Sequence, residues 1–320
     1  MTENPEKSLY LGLDTSAYTT SLALVDQDEN LIFENRLALS VEMGNLGLRQ
    51  SEAVFEHIKN LPHLWGSGRE FLKDGSLKAV ASSTRPRPIE GSYMPVFKVS
   101  EAFGLFLSQT LGLKFWASSH QEGHVMAGLW SAGIKAGRYI IVHLSGGTTE
   151  ILSAEERSPG NLTLELLSGT VDLNAGQFVD RIGRAMGLSF PAGPQLEGLA
   201  KKGVTGNLQL PVAVKGSEIS FSGPASQAER LIAGGCSKKD LARAVEVCIA
   251  DSLSLAVQNI SINPKDYQGL LAVGGVMANR FIGARLIENF LDWKLFFAQP
   301  ELASDNAVGL AIQAARYSLR

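Results

Sequence analysis

The sequence predicts an α/β chain built from two related lobes, and three observations predict it. An apolar strand, a turn of small hydroxyl residues and a second strand open the chain, at residues 9–14, 15–20 and 21–25. The same plan returns near the middle, where the strand 138–144 passes through Ser145-Gly146-Gly147-Thr148-Thr149 into a strand at 150–153. Between and after these hairpins, helical periodicity alternates with short apolar runs. The repeat is one of pattern and not of identity, so it reads as a structural duplication. Two such lobes facing each other across a cleft, each offering a small-residue turn, would clamp the phosphates of a nucleotide. The expected division is a first lobe at 1–117, completed by a C-terminal helix at 305–320, and a second lobe with a helical insert at 118–304.

Composition narrows the class. With 45% hydrophobic and 19% charged residues in 320, the chain is ordinary globular material with length for a sizeable core. Its net charge of -3 supplies no general basic field, so a nucleic-acid substrate would need a local basic patch or a partner subunit. The two cysteines, Cys236 and Cys248, form no CxxC and read as reduced cytosolic residues rather than a disulfide or a zinc knuckle. The polar N-terminus has no apolar signal core, and no apolar run reaches the roughly 18 residues of a membrane span. The expectation is a soluble, cytoplasmic protein with no membrane contact.

In the first lobe, the opening strand ends in an acid, Asp14. The turn Thr15-Ser16-Ala17-Tyr18-Thr19-Thr20 after it either holds phosphate through N–H groups and hydroxyls or is an ordinary hairpin turn. A third strand stands at 31–33. A helix at 51–65 places Val54, Ile58, Leu61 and Leu64 on its apolar face. The strand 77–81 runs into a Pro-rich loop carrying Arg85 and Arg87, which is stiff, exposed and cationic. That loop either meets a phosphate backbone or is a solvated connection. A helix at 98–111 with Val99, Phe103, Leu105 and Phe106 inward precedes a strand at 113–117, which delivers the chain to His120.

In the second lobe, a strand at 162–167 is followed by a helix at 172–184 with Phe178, Ile182 and Met186 inward, stopping at Gly187. Pro191-Ala192-Gly193-Pro194 makes a turn before a short helix at 196–200, and 202–222 carries the weakest structural signal. A long apolar helix at 241–257 buries Cys248, with Cys236 in the turn ahead. The strand 270–273, the pair Gly274-Gly275 and a helix through Ile287 make a place where ribose or phosphate can approach a helix N-terminus. A glycine pair also serves turn geometry alone. After a strand at 295–298, Ser304 or Asp305 precedes the last helix, 307–317, as a cap or as a carboxylate ligand.

His120 and His124 are two of only five histidines, and their spacing puts both imidazoles on one helix face, close enough to share a metal ion. The plainer reading is a pair of partly exposed helix histidines. Asp305 would complete a three-ligand site if the fold brings the chain's far end to this helix. A zinc protease would need Glu directly after the first His to activate water, and Gln121 stands there instead.

These features occur together in one family. His120-Gln-Glu-Gly-His124, Leu144-Ser-Gly-Gly147 with Thr149, Asp172 with Gly176-x-x-x-Asp180, Gly193-Pro194, Ser220-Phe-Ser-Gly223, Gly274-Gly-Val-x-Ala-Asn279 and Ser304-Asp305-Asn306-Ala307 stand in the family's order and approximate spacing. Over nearly its whole length the chain resembles the TsaD family, the catalytic subunit of tRNA threonylcarbamoyladenosine synthesis. The resemblance implies two ribonuclease-H-like lobes of the actin/Hsp70/sugar-kinase type. It implies one divalent metal ion, Fe or Zn, on His120, His124 and Asp305. It further implies an adenine nucleotide or threonylcarbamoyl-adenylate as ligand, with Ser145, Gly146 and Gly147 facing its phosphate. Gly176, Asp180 and Gly193 would frame ribose and base, and Asn279 would hold the adenine region. The implied reaction carries a threonylcarbamoyl group to N6 of the adenosine beside a tRNA anticodon. The implied partners are tRNA, a related TsaB-like scaffold subunit and a P-loop ATPase.

The chain also departs from the family pattern. Ala17, Tyr18 and Thr19 replace acidic residues, Thr148 stands for a histidine, Leu173 for an acid and Gln177 for a glutamate. Arg85-Pro86-Arg87-Pro88 replaces a glycine-rich segment. These departures suggest a divergent paralogue, with a nucleotide-binding scaffold as the alternative to a transferase.

Overall fold

The computed structural model describes residues 7–40, 48–73, 75–134 and 136–318. The polar N-terminal stretch at 1–6 therefore lies outside the described residues. The chain divides into two compact units: Met1–Ala136 with Glu156–Leu164 and Asp305–Arg320, and Gly137–Glu155 with Glu165–Ser304.

The first unit begins with β1 (Lys7–Thr15), β2 (Thr19–Asp26) and β3 (Leu31–Ala38), an antiparallel meander. Next come α1 (Gln50–Gly68), β4 (Gly75–Arg85), α2 (Phe97–Leu111), β5 (Lys114–Ser119) and α3 (His120–Ser131). The sheet order is β3-β2-β1-β4-β5, with β1, β4 and β5 parallel. Parallel strands end on one edge, and ligands of such sheets bind outside those carboxyl ends. Asp14, Arg85 and Ser119 therefore emerge on the same side.

The second unit repeats the plan with β6 (Arg138–Leu144), β7 (Thr149–Ser158) and β8 (Asn161–Gly169), then α4 (Ala175–Ala185) and α5 (Gly193–Ala200). The weakly patterned stretch holds only the two-residue strands β9 (Val214–Lys215) and β10 (Glu218–Ile219). Then follow α6 (Ser222–Ala233), α7 (Lys238–Asn259), β11 (Leu270–Val273), α8 (Arg280–Asn289) and β12 (Leu295–Phe297). Its sheet order is β8-β7-β6-β11-β12, with β6, β11 and β12 parallel. The two sheets are thus strand-for-strand equivalents, as the repeated hairpin pattern predicts. The last helix, α9 (Val308–Ser318), belongs to the first unit.

Periodicity located the helices better than their buried faces. On α2, Phe106 is 72% exposed and Leu105 also points outward, against the expectation that both face the core. The buried face is Phe97, Val99, Ser100, Gly104 and Ser108. A side chain at Gly104 would collide with Ser82 and Phe115, so small residues let this helix lie close on its sheet. On α1, Ile58 is likewise exposed, and His57 takes the core position beside Leu61 and Leu64. Cys248 is buried in α7 as expected, and burial pushes its thiol up to about 12. Among the described residues, no helix is long and apolar enough to cross a membrane.

The sequence reading put the first boundary at 117/118, whereas residues through Ala136 pack with the first unit. The cause is α3 crossing α9. A Cβ on Gly309 would collide with the Gly123 carbonyl and the Ala127 N, and one on Gly12 with Ala307 and Ala311 of the incoming helix. The C-terminal helix is also tied down by Arg316, whose guanidinium forks onto Glu29 at 2.7 and 2.8 Å and reaches Glu156 at 2.9 Å. Gly309→Ala is expected to destabilise the protein by about 2 kcal/mol or more, because two backbones would have to separate. Urea denaturation of variant and wild type checks this.

Candidate functional site

Three elements of the first unit build the site. β5 ends at Ser119, which caps α3: its Oγ accepts from Glu122 N, while the Glu122 carboxylate accepts from Ser119 N at 2.8 Å. The box starts the helix with His120, so His120 and His124 share one face. Glu122 is consumed in the cap, its carboxylate turned to Ser119 N.

At the other end of the chain, the ambiguity over the last helix resolves. Asn306 Oδ1 accepts from Val308 N at 3.0 Å and caps α9. The Asp305 carboxylate points instead to the histidines, with Oδ1 at 3.1 Å from His124 Nε2 and 3.5 Å from His120 Nε2. The two Nε2 atoms are 3.1 Å apart. A tetrahedral shell with bonds of ~2.0–2.1 Å has edges of about 3.3–3.4 Å, and an octahedral one about 3.0 Å. Three donors at 3.1, 3.1 and 3.5 Å therefore fit one divalent ion. Two imidazoles and a carboxylate suit Zn or Fe(II). His124 is buried, while His120 and Asp305 side chains are 20% and 30% exposed, leaving one open side.

Three further residues, not singled out from sequence as site members, complete the surroundings. Asp14 is buried, and its Oδ1 and Oδ2 lie 3.0 and 3.1 Å from His120 Nδ1. It accepts the Nδ1 proton and thereby turns the Nε2 lone pair toward the other donors. Ser16 Oγ donates a hydrogen bond to Asp305 Oδ2. His57 Nε2–H donates to the Ser16 carbonyl at 2.8 Å, and its Nδ1 accepts from Thr20 Oγ1 at 2.7 Å. Burial holds His57 below its usual pKa, consistent with this neutral tautomer. The Ser16 and Thr20 hydroxyls of the hairpin tip, one expected reading of which was phosphate binding, are thus engaged internally; Thr15 Oγ1 likewise donates to the Val96 carbonyl at 2.8 Å. The one sequence signal for this set was the acid ending the first strand.

The electrostatics match. Burial alone would keep His120 neutral, but Asp14 and Asp305 outweigh it and hold its pKa well above the ordinary 6.5. Burial alone would raise Asp305, but His120 and then His124 hold it well below 3.8. The site thus stabilises positive charge where a cation would sit. Asp14→Asn is expected to lower metal affinity about 10- to 100-fold. Competition with a chromogenic chelator measures it.

The second unit gathers most of the remaining predicted residues. Ser145 N donates to Thr148 O at 2.8 Å, closing the turn, and Gly147 N donates to Ser145 Oγ at 3.3 Å. Side chains at Gly146 or Gly147 would meet nothing, so this turn offers backbone to solvent. Gly176, at the start of α4, donates to Ser145 O at 3.2 Å, and a Cβ there would strike the Ser145–Gly146 backbone. Gly274, at φ +98°, abuts the Leu144 carbonyl. Farther along, Asp180 Oδ1 accepts from Ala192 N at 2.7 Å and fixes the turn that holds Gly193. Asp172 links the Ser220–Gly223 motif, accepting from Ser220 Oγ at 2.5 Å and Phe221 N at 2.9 Å. Asn279 is engaged on both sides: its Oδ1 caps α8 through Phe281 and Ile282 N, and its Nδ2 donates to Glu246 Oε1 at 2.7 Å.

Glu246 is itself buried, and burial pushes its carboxyl up to about 7 from 4.5, against Asn279 and Arg243, which lower it. A raised folded-state value means the contribution to stability is complete below pH 4.5 and lost as pH rises to about 7. Relative to Glu246→Gln, the wild type is therefore expected to lose roughly 3 kcal/mol between pH 4.5 and 8. Parallel denaturation curves for the two proteins across that range would show Arg243 compensating the charge instead.

Comparison with known proteins adds independent information. The profile of the family described as TsaD, tRNA N6-adenosine threonylcarbamoyltransferase, matches residues 72–312. A tRNA N6-adenosine threonylcarbamoyltransferase of Archaeoglobus fulgidus is 29% identical over 303 residues, covering 94% of this chain and 88% of that protein. Among solved structures, HypF of T. kodakarensis superposes with a TM-score of 0.62 at 14% identity, over 98% of this chain and 48% of that one. Component A of the (R)-2-hydroxyglutaryl-CoA dehydratase of Acidaminococcus fermentans gives 0.55 at 14% identity, over 98% and 99%. These likenesses are of fold, the α/β fold of the actin/Hsp70/sugar-kinase class.

Proposed function

Because the chain belongs to the TsaD family of tRNA N6-adenosine threonylcarbamoyltransferases, we propose that it transfers a threonylcarbamoyl group from threonylcarbamoyl-adenylate to tRNA. The acceptor is N6 of the adenosine beside the anticodon. In this reaction N6 attacks the carbamoyl carbon, a C–N bond forms, the bond to the adenylate phosphate oxygen breaks, AMP leaves and N6 gives up a proton. The observation that carries the reading is the convergence of His120, His124 and Asp305, oriented by Asp14, within a family match.

These three residues would hold one divalent ion, which supplies Lewis-acid polarisation of a carbonyl. Asp14 keeps His120 in the tautomer that presents Nε2, and Ser16 fixes the Asp305 carboxylate. In the second unit, the Ser145–Gly147 turn, its Ser145 and Gly147 N–H groups held by Thr148 O and Ser145 Oγ, would face an adenylate phosphate through the open backbone at Gly146, and Gly176 lets α4 begin against that turn. Asp180 and Gly193 would frame ribose and base, and Asn279 the adenine region, with its side chain anchored by Glu246. None of the replaced family positions (17–19, 85–88, 148, 173 and 177) belongs to the proposed ligand triad, which supports a transferase over a nucleotide-binding scaffold. Acting on tRNA, the protein would work in the cytoplasm. A related scaffold subunit and a P-loop ATPase are proposed partners. The outward Phe55 and Ile58 of α1 and Phe106 of α2 offer apolar surface for the former.

The test is metal analysis of purified protein coupled to transfer of labelled threonine from the synthetic adenylate to tRNA, with the partner proteins present. His120→Ala and Asp305→Ala are expected to lose the metal and at least about 100-fold of transfer while keeping the wild-type circular dichroism. Unchanged metal content in both variants would overturn the triad. A metal-loaded wild type that labels no tRNA would overturn the reaction.

A further inference from the structure

We propose that the loop 85–93 of the first unit binds single-stranded RNA, with Arg85 and Arg87 on backbone phosphates and Tyr93 stacked on a base. The assignment rests on the transferase reading and names the surface by which the RNA would reach the metal centre.

The placement comes from the backbone. The loop leaves the carboxyl end of β4 on the sheet edge where β1 delivers Asp14 and β5 delivers His120. Thr84 Oγ1 donates to the Ser118 carbonyl at 3.1 Å, and the Pro86 carbonyl accepts from Gln121 N at 3.1 Å. The loop is therefore pinned to the residue that follows the ligand His120.

It is also preorganised. Arg87 N donates to Ser92 Oγ at 3.0 Å and Ser92 N to the Ile89 carbonyl at 3.2 Å, while Pro86 and Pro88 restrict the chain. Little order remains to be bought on binding.

Its chemistry fits one ligand class. A chain of net charge -3 needs a local basic patch to hold a polyanion, and this loop carries two arginines against one acid, Glu90. Among the described residues Arg85 makes no ion pair with a carboxylate. Guanidinium groups match phosphate in a bidentate way that lysine does not. Tyr93 and Ile89 are 65% and 57% exposed, an aromatic and an aliphatic surface that a merely solvated connection has no use for. Exposed aromatics beside arginines suit unstacked bases, which RNA offers in loops and not in duplexes.

The probes are a fluorescent anticodon stem-loop and a blunt RNA duplex of equal length, titrated with full-length protein by anisotropy at several salt concentrations. The variants are Arg85→Gln/Arg87→Gln, Tyr93→Ala and Tyr93→Phe. The double arginine variant is expected to weaken stem-loop binding about tenfold or more and to flatten the log–log salt slope by about one to two. Tyr93→Ala should weaken the stem-loop about 5- to 100-fold without changing the slope, leave the duplex unaffected, and be rescued by Tyr93→Phe. Metal content and thermal midpoint should match the wild type throughout. Variants that bind as the wild type does would overturn the loop assignment alone and leave the transferase reading standing. Equal loss on stem-loop and duplex for Tyr93→Ala, or loss of metal along with RNA, would also overturn it. A wild type with no affinity for either RNA would overturn both this assignment and the reading beneath it.

Discussion

Gly309 lies so near the Gly123 carbonyl that no side chain fits between α3 and α9, and this crossing brings Asp305 to an imidazole 181 residues earlier in the chain. The rest of the first unit follows from that constraint. Gly12 opens the same space from the sheet side, letting the start of α9 rest on β1. Arg316 then fastens the far end of α9 to the β2–β3 turn through Glu29, which is held at φ 62°. A helix pinned at both ends gives its leading carboxylate a single position.

The centre that results is organised as a nested set of hydrogen bonds. His57 holds the hairpin tip through the Ser16 carbonyl, and Ser16 holds Asp305. Asp14 holds His120. Each outer residue is buried, so each bond is made in a medium where leaving it unmade would cost about 1–3 kcal/mol. Orientation is therefore built into the fold before any ligand arrives. The second unit uses glycine for the same end, by close approach of the α4 start to the Ser145–Gly147 turn.

The departures from the family pattern leave the candidate ligand triad untouched but adjoin other matched motifs: Thr148 lies in the glycine turn, Leu173 beside Asp172 and Gln177 beside Gly176. The triad residues converge, the glycine turn is closed, and Asp172 links to Ser220. Several altered positions border the first unit's centre: the hairpin tip carries Ala17, Tyr18 and Thr19, and the loop after β4 carries Arg85 and Arg87. Arginines in place of uncharged residues beside the candidate metal centre shift the local potential toward anions.

Local signals read well from sequence because their causes are local. Apolar runs broken by small-residue turns marked the hairpins, the four-residue spacing put His120 and His124 on one face, and the recurrence of the plan marked two equivalent sheets. Contacts distant in sequence had no such signature. That Phe106 faces out depends on Gly104 meeting Ser82 and Phe115 across the sheet. That Asp305 is a donor and Asn306 the cap depends on where α9 lands. Asp14 gains its role only because a parallel sheet sets the end of β1 beside the start of α3. By itself the sequence determined the elements, the duplication and the candidate donor residues, since these follow from short-range periodicity and side-chain chemistry. Tertiary structure alone decided which donors converge, which hydroxyls and amides are already spent, and which arginines stand beside the centre. Those outcomes follow from backbones packed at distances that no local pattern encodes.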